Sequence, residues 1–201
     1  FVSASRLAIE AGFDGVELHG ANGYLIDQFL NTASNKRADR WGTENIENRI
    51  RFAVETARRV GEAIGFDRLG IRVSPYGVFN DMQPDPDTEK GFSRLAEELG
   101  KLGLLYIHIV DHSTMGAPEV TPSVKLEIRA KFKGHTILSG GYDLDRAEHD
   151  LVEKKGELVA FGRPLISNPN FISKLRNGTP LAAADHMTFY TPGEKGYTDY
   201  A

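Results

Sequence analysis

Cysteine is absent from the sequence. That excludes a disulfide framework, a thiolate metal centre and a cysteine nucleophile. It also suits a reducing compartment, so a cytoplasmic location is expected. Long apolar runs are absent too: none approaches the ~20 residues that cross a bilayer. The opening residues, Phe1-Val2-Ser3-Ala4-Ser5-Arg6, show no initiator Met and no apolar core of a signal peptide. They read as the middle of a helix, and the chain is expected to be part of something longer. Neither sign of charge dominates. The 24 Lys and Arg against 28 Asp and Glu leave a net charge of −4, which argues against a nucleic-acid or anionic-membrane surface. No G-x-G-x-x-G follows the first apolar strand and no Walker loop occurs, which counts against Rossmann and P-loop readings.

What is present is a repeating pattern. The 201 residues suffice for one domain with a sizeable core, and residues 1–201 are read as one. Helical spacing or helix-end signals predict helices over 2–11, 24–30, 46–64, 88–102, 124–132, 144–155 and 166–175. In the first of these, Leu7, Ala8 and Ala11 form the expected apolar face. Short apolar runs predict strands at 16–19, 69–74, 105–110, 136–139 and 158–161. Continuous apolar runs of that length are how buried parallel strands look. The polar stretch 31–45 and the tail from Thr179 are expected to be irregular. Strand followed by helix about five times means a parallel α/β architecture. Five units suffice for an open doubly wound sheet and are three short of a closed eight-stranded barrel.

Three groups of residues have the chemistry to bind or react. His19, Asn22 and Tyr24 follow the first strand. His and Asn can donate together to a carbonyl or nitro oxygen, polarising a conjugated alkene, and Tyr24 can act as general acid. The same residues also read as a capping pair with a core tyrosine, and the bare spacing favours that reading. Gly140-Gly141 and Gly162-Arg163 directly follow the last two strands. Glycine there lets backbone N–H groups approach a phosphate, and arginine adds a charged clamp; ordinary turn glycines beside a surface arginine are the alternative. Arg72 lies inside the second strand, where it needs either an anionic ligand atom or a core carboxylate as partner. Glu17 shares strand parity with His19 and reads as a paired core carboxylate. His108, Asp111 and His112 raise a metal, but alternation along the strand separates His108 from Asp111, and no metal site is assigned.

The motifs add a resemblance. His19-Gly20-Ala21-Asn22-Gly23-Tyr24-Leu25, then Asp27-Gln28-Phe29-Leu30 and Asn35-Lys36-Arg37-Ala38-Asp39, resemble the Old Yellow Enzyme family of FMN-dependent ene-reductases. The likeness continues through Glu47-Asn48-Arg49, Gly70-Ile71-Arg72-Val73-Ser74-Pro75 and Phe161-Gly162-Arg163-Pro164-Leu165-Ile166-Ser167-Asn168-Pro169. It ends with Thr188-Phe189-Tyr190 and Gly196-Tyr197-Thr198-Asp199-Tyr200. It is strongest toward the N-ethylmaleimide, xenobiotic, morphinone and 12-oxophytodienoate reductases.

The resemblance implies a (β/α)8 TIM barrel of which this chain supplies about the last five units, with the first three strands absent and coming from elsewhere in the natural chain or from a second chain. It implies FMN as cofactor and NADPH or NADH as reductant. His19 and Asn22 match the pair that binds the substrate oxygen, and Tyr24 matches the proton donor to the substrate Cα. Arg72 matches the arginine beside the flavin pyrimidine. Gly140, Gly141, Gly162 and Arg163 match the phosphate site, and Tyr190 matches a tail tyrosine near flavin and substrate. Hydride then passes from flavin N5 to Cβ of an α,β-unsaturated carbonyl or nitro compound. The expected function is reduction of such alkenes, with small molecules as substrates and neither nucleic acid nor membrane as a partner. A non-catalytic half-barrel that at most binds phosphate ligands is the alternative. A Schiff-base aldolase is disfavoured because no predicted strand carries a lysine.

Overall fold

The computed structural model describes residues 1–200. Its centre is a parallel sheet of β1 (Val16–Gly20), β2 (Leu69–Val73), β3 (Tyr106–Val110), β4 (His135–Ser139) and β5 (Leu158–Ala160). The strands lie side by side in chain order. A doubly wound sheet reverses its order at a switch point; this one does not. Helices connecting strands in simple succession all fall on one face, since each crossover is right-handed. The fold is therefore five β/α units of a (β/α)8 barrel.

That face carries the core. Leu18, Leu69, Ile71, Val73, Ile107, Ile109 and Leu138 pack beneath Ala53, Ala57, Val60, Leu95, Leu99 and Ile128 of the helices. Each fully buried Leu or Ile contributes ~2 kcal/mol relative to exposure. The opposite face is polar. Register aligns His19 with Arg72 and Arg72 with His108, so these side chains share one surface. Glu17 lies on it too, and its Oε2 is 3.0 Å from His108 Nδ1. The expected carboxylate is paired, with His108 as its partner, but Glu17 is exposed on this face rather than in the core.

The helices are α1 (Val2–Glu10), α2 (Leu25–Leu30), α3 (Ile46–Ile64), α4 (Thr88–Leu102), α5 (Pro122–Phe132), α6 (Leu144–Val152), α7 (Arg163–Ile166) and α8 (Phe171–Arg176). Both ends of α3 have local causes. The Asn45 side chain accepts from the Asn48 N–H at 2.9 Å, and Gly65 turns the chain with φ 97°. The polar stretch 31–45 forms no helix or strand. Asn35 holds it, donating from Nδ2 to the carbonyls of Phe29 (2.9 Å) and Trp41 (2.7 Å).

Two expectations fail. Leu7 is 61% exposed rather than inward. The buried side of α1 runs through Val2, Ser5 and Ile9 instead. Apolar residues surround this short helix, and its one large neighbour, α3, selects the face. The helix expected over 166–175 is broken between α7 and α8. Asn168 is the cause. Its Nδ2 donates to the carbonyls of Pro164 (2.8 Å) and Ala182 (3.0 Å), and its Oδ1 accepts from Ala182 N–H (2.9 Å). A fully buried side chain with those partners takes over contacts that a continuous helix would make within itself. Among the described residues no helix is long and apolar enough to cross a membrane.

Candidate active site

The strand C-termini surround a cavity of about 720 Å³, within the usual range for ligand sites. Its wall includes Asn22, Tyr24, Arg72, Gly140, Gly141, Gly162, Arg163 and Tyr190. Of the nine residues assigned to the site from the sequence, only His19 is not on that wall. Its exposed ring lies beside Tyr24, 5.1 Å away between ring centroids. Burial, and then the positive charge of Arg72, hold the His19 pKa below its ordinary value. The imidazole is therefore neutral at pH 7 and offers one N–H donor.

Asn22 and Tyr24 owe their places to the turn between β1 and α2. Asn22 adopts a left-handed φ of 61° and Gly23 one of 72°. The Tyr24 N–H closes the turn on the Ala21 carbonyl at 3.2 Å, and Tyr24 then caps α2 with its ring 55% exposed. The Asn22 side-chain carbonyl is buried without a partner. A half-turn of the amide puts an NH2 donor in the same place.

Arg72 is the second unsatisfied group. Its Nε is buried with no hydrogen-bond partner. Burial draws the guanidinium pKa down, against the Glu17 carboxylate nearby. A buried cationic donor that faces a cavity and lacks a partner is a place for an electron-rich ligand atom.

At the other end the glycines are there for space. A Cβ on Gly140 would lie 1.9 Å from the Asp111 carbonyl, at φ +110°. Only glycine lets the loop after β4 pass so close to the loop after β3. The latter is braced by a buried ion pair, Lys125 Nζ to Asp111 Oδ2 at 2.9 Å. Gly162 differs: nothing lies within 4 Å of its Cβ position, so it leaves open space beside Arg163. Three to four inter-strand steps separate this cradle from Tyr24, on the order of 15 Å. The cavity thus matches an elongated ligand, with a phosphate at the β4–β5 end and an electron-rich edge against Arg72. Those residues fit FMN.

Sequence reasoning missed several neighbours. His112, weighed only as a metal ligand, is on the cavity wall with a buried, unpartnered Nδ1. Burial, then Arg72, push its pKa down to about 4. The Phe79 ring meets it edge-on at 4.7 Å. Asn80, left-handed at φ 53°, donates from Nδ2 to the Asn22 carbonyl at 2.8 Å. Asp27 and Ser74 lie beneath the same turn. The Asn22-Gly23 pair is itself a left-handed turn signal, and such a turn needs an acceptor for its N–H groups, which Asp27, four positions after Gly23, supplies. His108 and Asp111 are engaged separately, with Glu17 and Lys125.

Known proteins resemble this chain closely. It is 43% identical over 208 residues to a chanoclavine-I aldehyde reductase of Penicillium roqueforti, matching all of this chain and 56% of that protein. It is 41% identical over 208 residues to a putative 12-oxophytodienoate reductase of Oryza sativa subsp. japonica, matching all of this chain and 65% of that protein. It is 40% identical over 213 residues to a probable inactive dehydrogenase of Claviceps fusiformis, matching all of this chain and 56% of that protein. Among solved structures, morphinone reductase in complex with tetrahydroNAD superposes with TM-score 0.89 at 40% identity, covering 98% of this chain and 53% of that one. The old yellow enzyme from Trypanosoma cruzi gives TM-score 0.91 at 32% identity, covering 100% and 53%. The chain thus spans between 53% and 65% of the length of these relatives. Residues 1–182 match the NADH:flavin oxidoreductase / NADH oxidase family, and the chain belongs to that family.

Proposed function

We propose that the protein to which this chain contributes reduces the C=C bond of α,β-unsaturated carbonyl or nitro compounds, with FMN as cofactor and NADPH or NADH as reductant. One observation carries the reading. An oxygen-binding amide (Asn22), an acid (Tyr24, with the neutral His19 ring beside it) and a phosphate cradle share one cavity, with Arg72, whose Nε is unpartnered, also on its wall. Bound FMN would supply hydride transfer from nicotinamide to the alkene. The chain's own residues do the rest. Gly140, Gly141, Gly162 and Arg163 hold the phosphate. Arg72 Nε donates to the electron-rich edge of the ring system. His19 and Asn22 donate to the substrate oxygen and stabilise the charge that grows there as the β carbon is reduced. Tyr24 gives its phenolic proton to Cα. Tyr190, 98% exposed on the tail, stands at the cavity mouth.

The full-length protein tests this. After FMN is added and excess removed, it should retain flavin, be bleached by NADPH or NADH, and convert cyclohex-2-enone to cyclohexanone. Retained flavin that nicotinamide reduces but no enone reoxidises would overturn the alkene-reductase reading. A second reading, a non-catalytic half-barrel that binds phosphate ligands, draws on the likeness to a probable inactive dehydrogenase and on the Tyr24 ring's exposure. A protein that binds FMN phosphate but is never reduced would favour it.

A further inference from the structure

The Asn22–Gly23 turn is held from below by two residues that do not reach the cavity. The Asn22 N–H donates to Ser74 Oγ at 2.9 Å. The Ser74 hydroxyl donates to Asp27 Oδ2 at 3.1 Å. The Gly23 N–H donates to the same Oδ2 at 2.9 Å. Two consecutive backbone amides are thus fastened to one carboxylate oxygen, one directly and one through a hydroxyl. Ser74 and Asp27 are 2% and 4% exposed, and neither is on the cavity wall. From above, Asn80 fixes the Asn22 carbonyl. Packing removes the remaining freedom, since a Cβ on Gly23 would lie 2.3 Å from the Phe79 carbonyl. Every backbone group of Asn22 is spoken for, and its side-chain amide is what remains for a ligand.

We propose that Ser74 and Asp27 are positioning residues, which hold the left-handed Asn22–Gly23 turn so that the Asn22 amide meets the electron-rich oxygen of the ligand. The proposal rests on the function proposed above. The reason is geometric. Asn22 and Gly23 both hold left-handed φ values, 61° and 72°, and their anchored N–H groups keep them there; with those amides released the turn is free to leave that conformation and carry the donor away from the oxygen. Misplacing a catalytic group by ~1 Å costs as much as a hundredfold in rate.

The test uses the full-length, FMN-loaded protein and three variants: Ser74→Ala, Asp27→Asn, and Ser74→Thr, which keeps the hydroxyl. Hydrogen exchange at Asn22 and Gly23 reports the turn. Affinity for 4-hydroxybenzaldehyde, read from the flavin absorbance, reports the oxygen site, because a phenolate oxygen carries enolate-like charge. Rapid mixing separates flavin reduction by nicotinamide from reoxidation by cyclohex-2-enone. Ser74→Ala and Asp27→Asn should speed exchange, weaken phenolate binding about tenfold and slow reoxidation by a similar factor, with flavin reduction unchanged. Ser74→Thr should match the parent. If Ser74→Ala does not fold, Asp27→Asn carries the comparison. Faster exchange with unaltered phenolate affinity would overturn the proposal, leaving the network merely structural. A parent protein that binds phenolate but reduces no enone would overturn the proposed function instead, and the phenolate affinities would still decide the positioning role.

Discussion

Asp27 is the residue whose ionisation weighs most on the fold. Burial pushes its carboxyl up to about 6, despite the Gly23 and Ser74 hydrogen bonds. An unfolded aspartate titrates near ~4. Between those values the folded state holds more protons than the unfolded one, so Asp27 costs stability as pH rises from 4 to 6. The full cost is about 3 kcal/mol at pH 7. Urea denaturation of the Asp27→Asn variant beside the parent should therefore show the stability difference shifting in the variant's favour by up to about 3 kcal/mol from pH 4 to pH 7. A difference that is flat with pH would show that Asp27 is not buried as a strained anion. Gly140 makes the opposite kind of contribution, through space rather than charge. Gly140→Ala forces a methyl into the Asp111 carbonyl and should cost about 2–3 kcal/mol and weaken FMN retention at least tenfold, which flavin titration measures. The sequence made Gly140 legible because it follows an apolar strand. It did not reveal Ser74, whose link to Asp27 spans 47 positions; Asp27, four positions after Gly23, was within reach of a reading that asked where the turn's N–H groups go.

Helices with strong ends were legible as elements. The bounds of α3 and α4 agree with the sequence reading because Asn45, Gly65 and Gly103 mark their ends by local chemistry. The break between α7 and α8 escaped it for the opposite reason, since Asn168 answers to Ala182, 14 residues away. Removing that side chain should show its worth. Asn168→Ala leaves the Ala182 N–H without its acceptor and should destabilise the protein by about 2–3 kcal/mol. It should also free the segment that Asn168 ties down, so limited proteolysis should cut between 176 and 190 faster than in the parent. Unchanged cleavage there would mean that the tail is held by other contacts. The face of α1 was illegible for a further reason: which side of a short, broadly apolar helix is covered depends on its neighbour, and here Ser5 is buried and Val2 and Ile9 are half-buried while Leu7 stands in solvent.

The sheet as a whole has two edges, β1 and β5, each paired on one side only among the described residues. Phe13, Leu158 and Ile172 are each more than half exposed. Unpaired strand edges and exposed apolar side chains promote association. The 201-residue chain produced by itself should accordingly associate as its concentration rises in size-exclusion chromatography, and a single monomer peak at every concentration would contradict this. The parallel architecture was legible from the strand–helix rhythm; the rhythm alone left an open doubly wound sheet and a barrel both possible, the motif resemblance pointed to the barrel, and the unreversed strand order bears that out. At this scale the central claim is that one cavity joins an acid and an oxygen-binding amide at one end to a phosphate cradle at the other. The most direct test is Tyr24→Phe in the full-length protein, with the two half-reactions followed separately by stopped-flow absorbance. Flavin reduction by nicotinamide should be unchanged while reoxidation by cyclohex-2-enone falls about a hundredfold or more; reoxidation at the parent's rate would contradict the account.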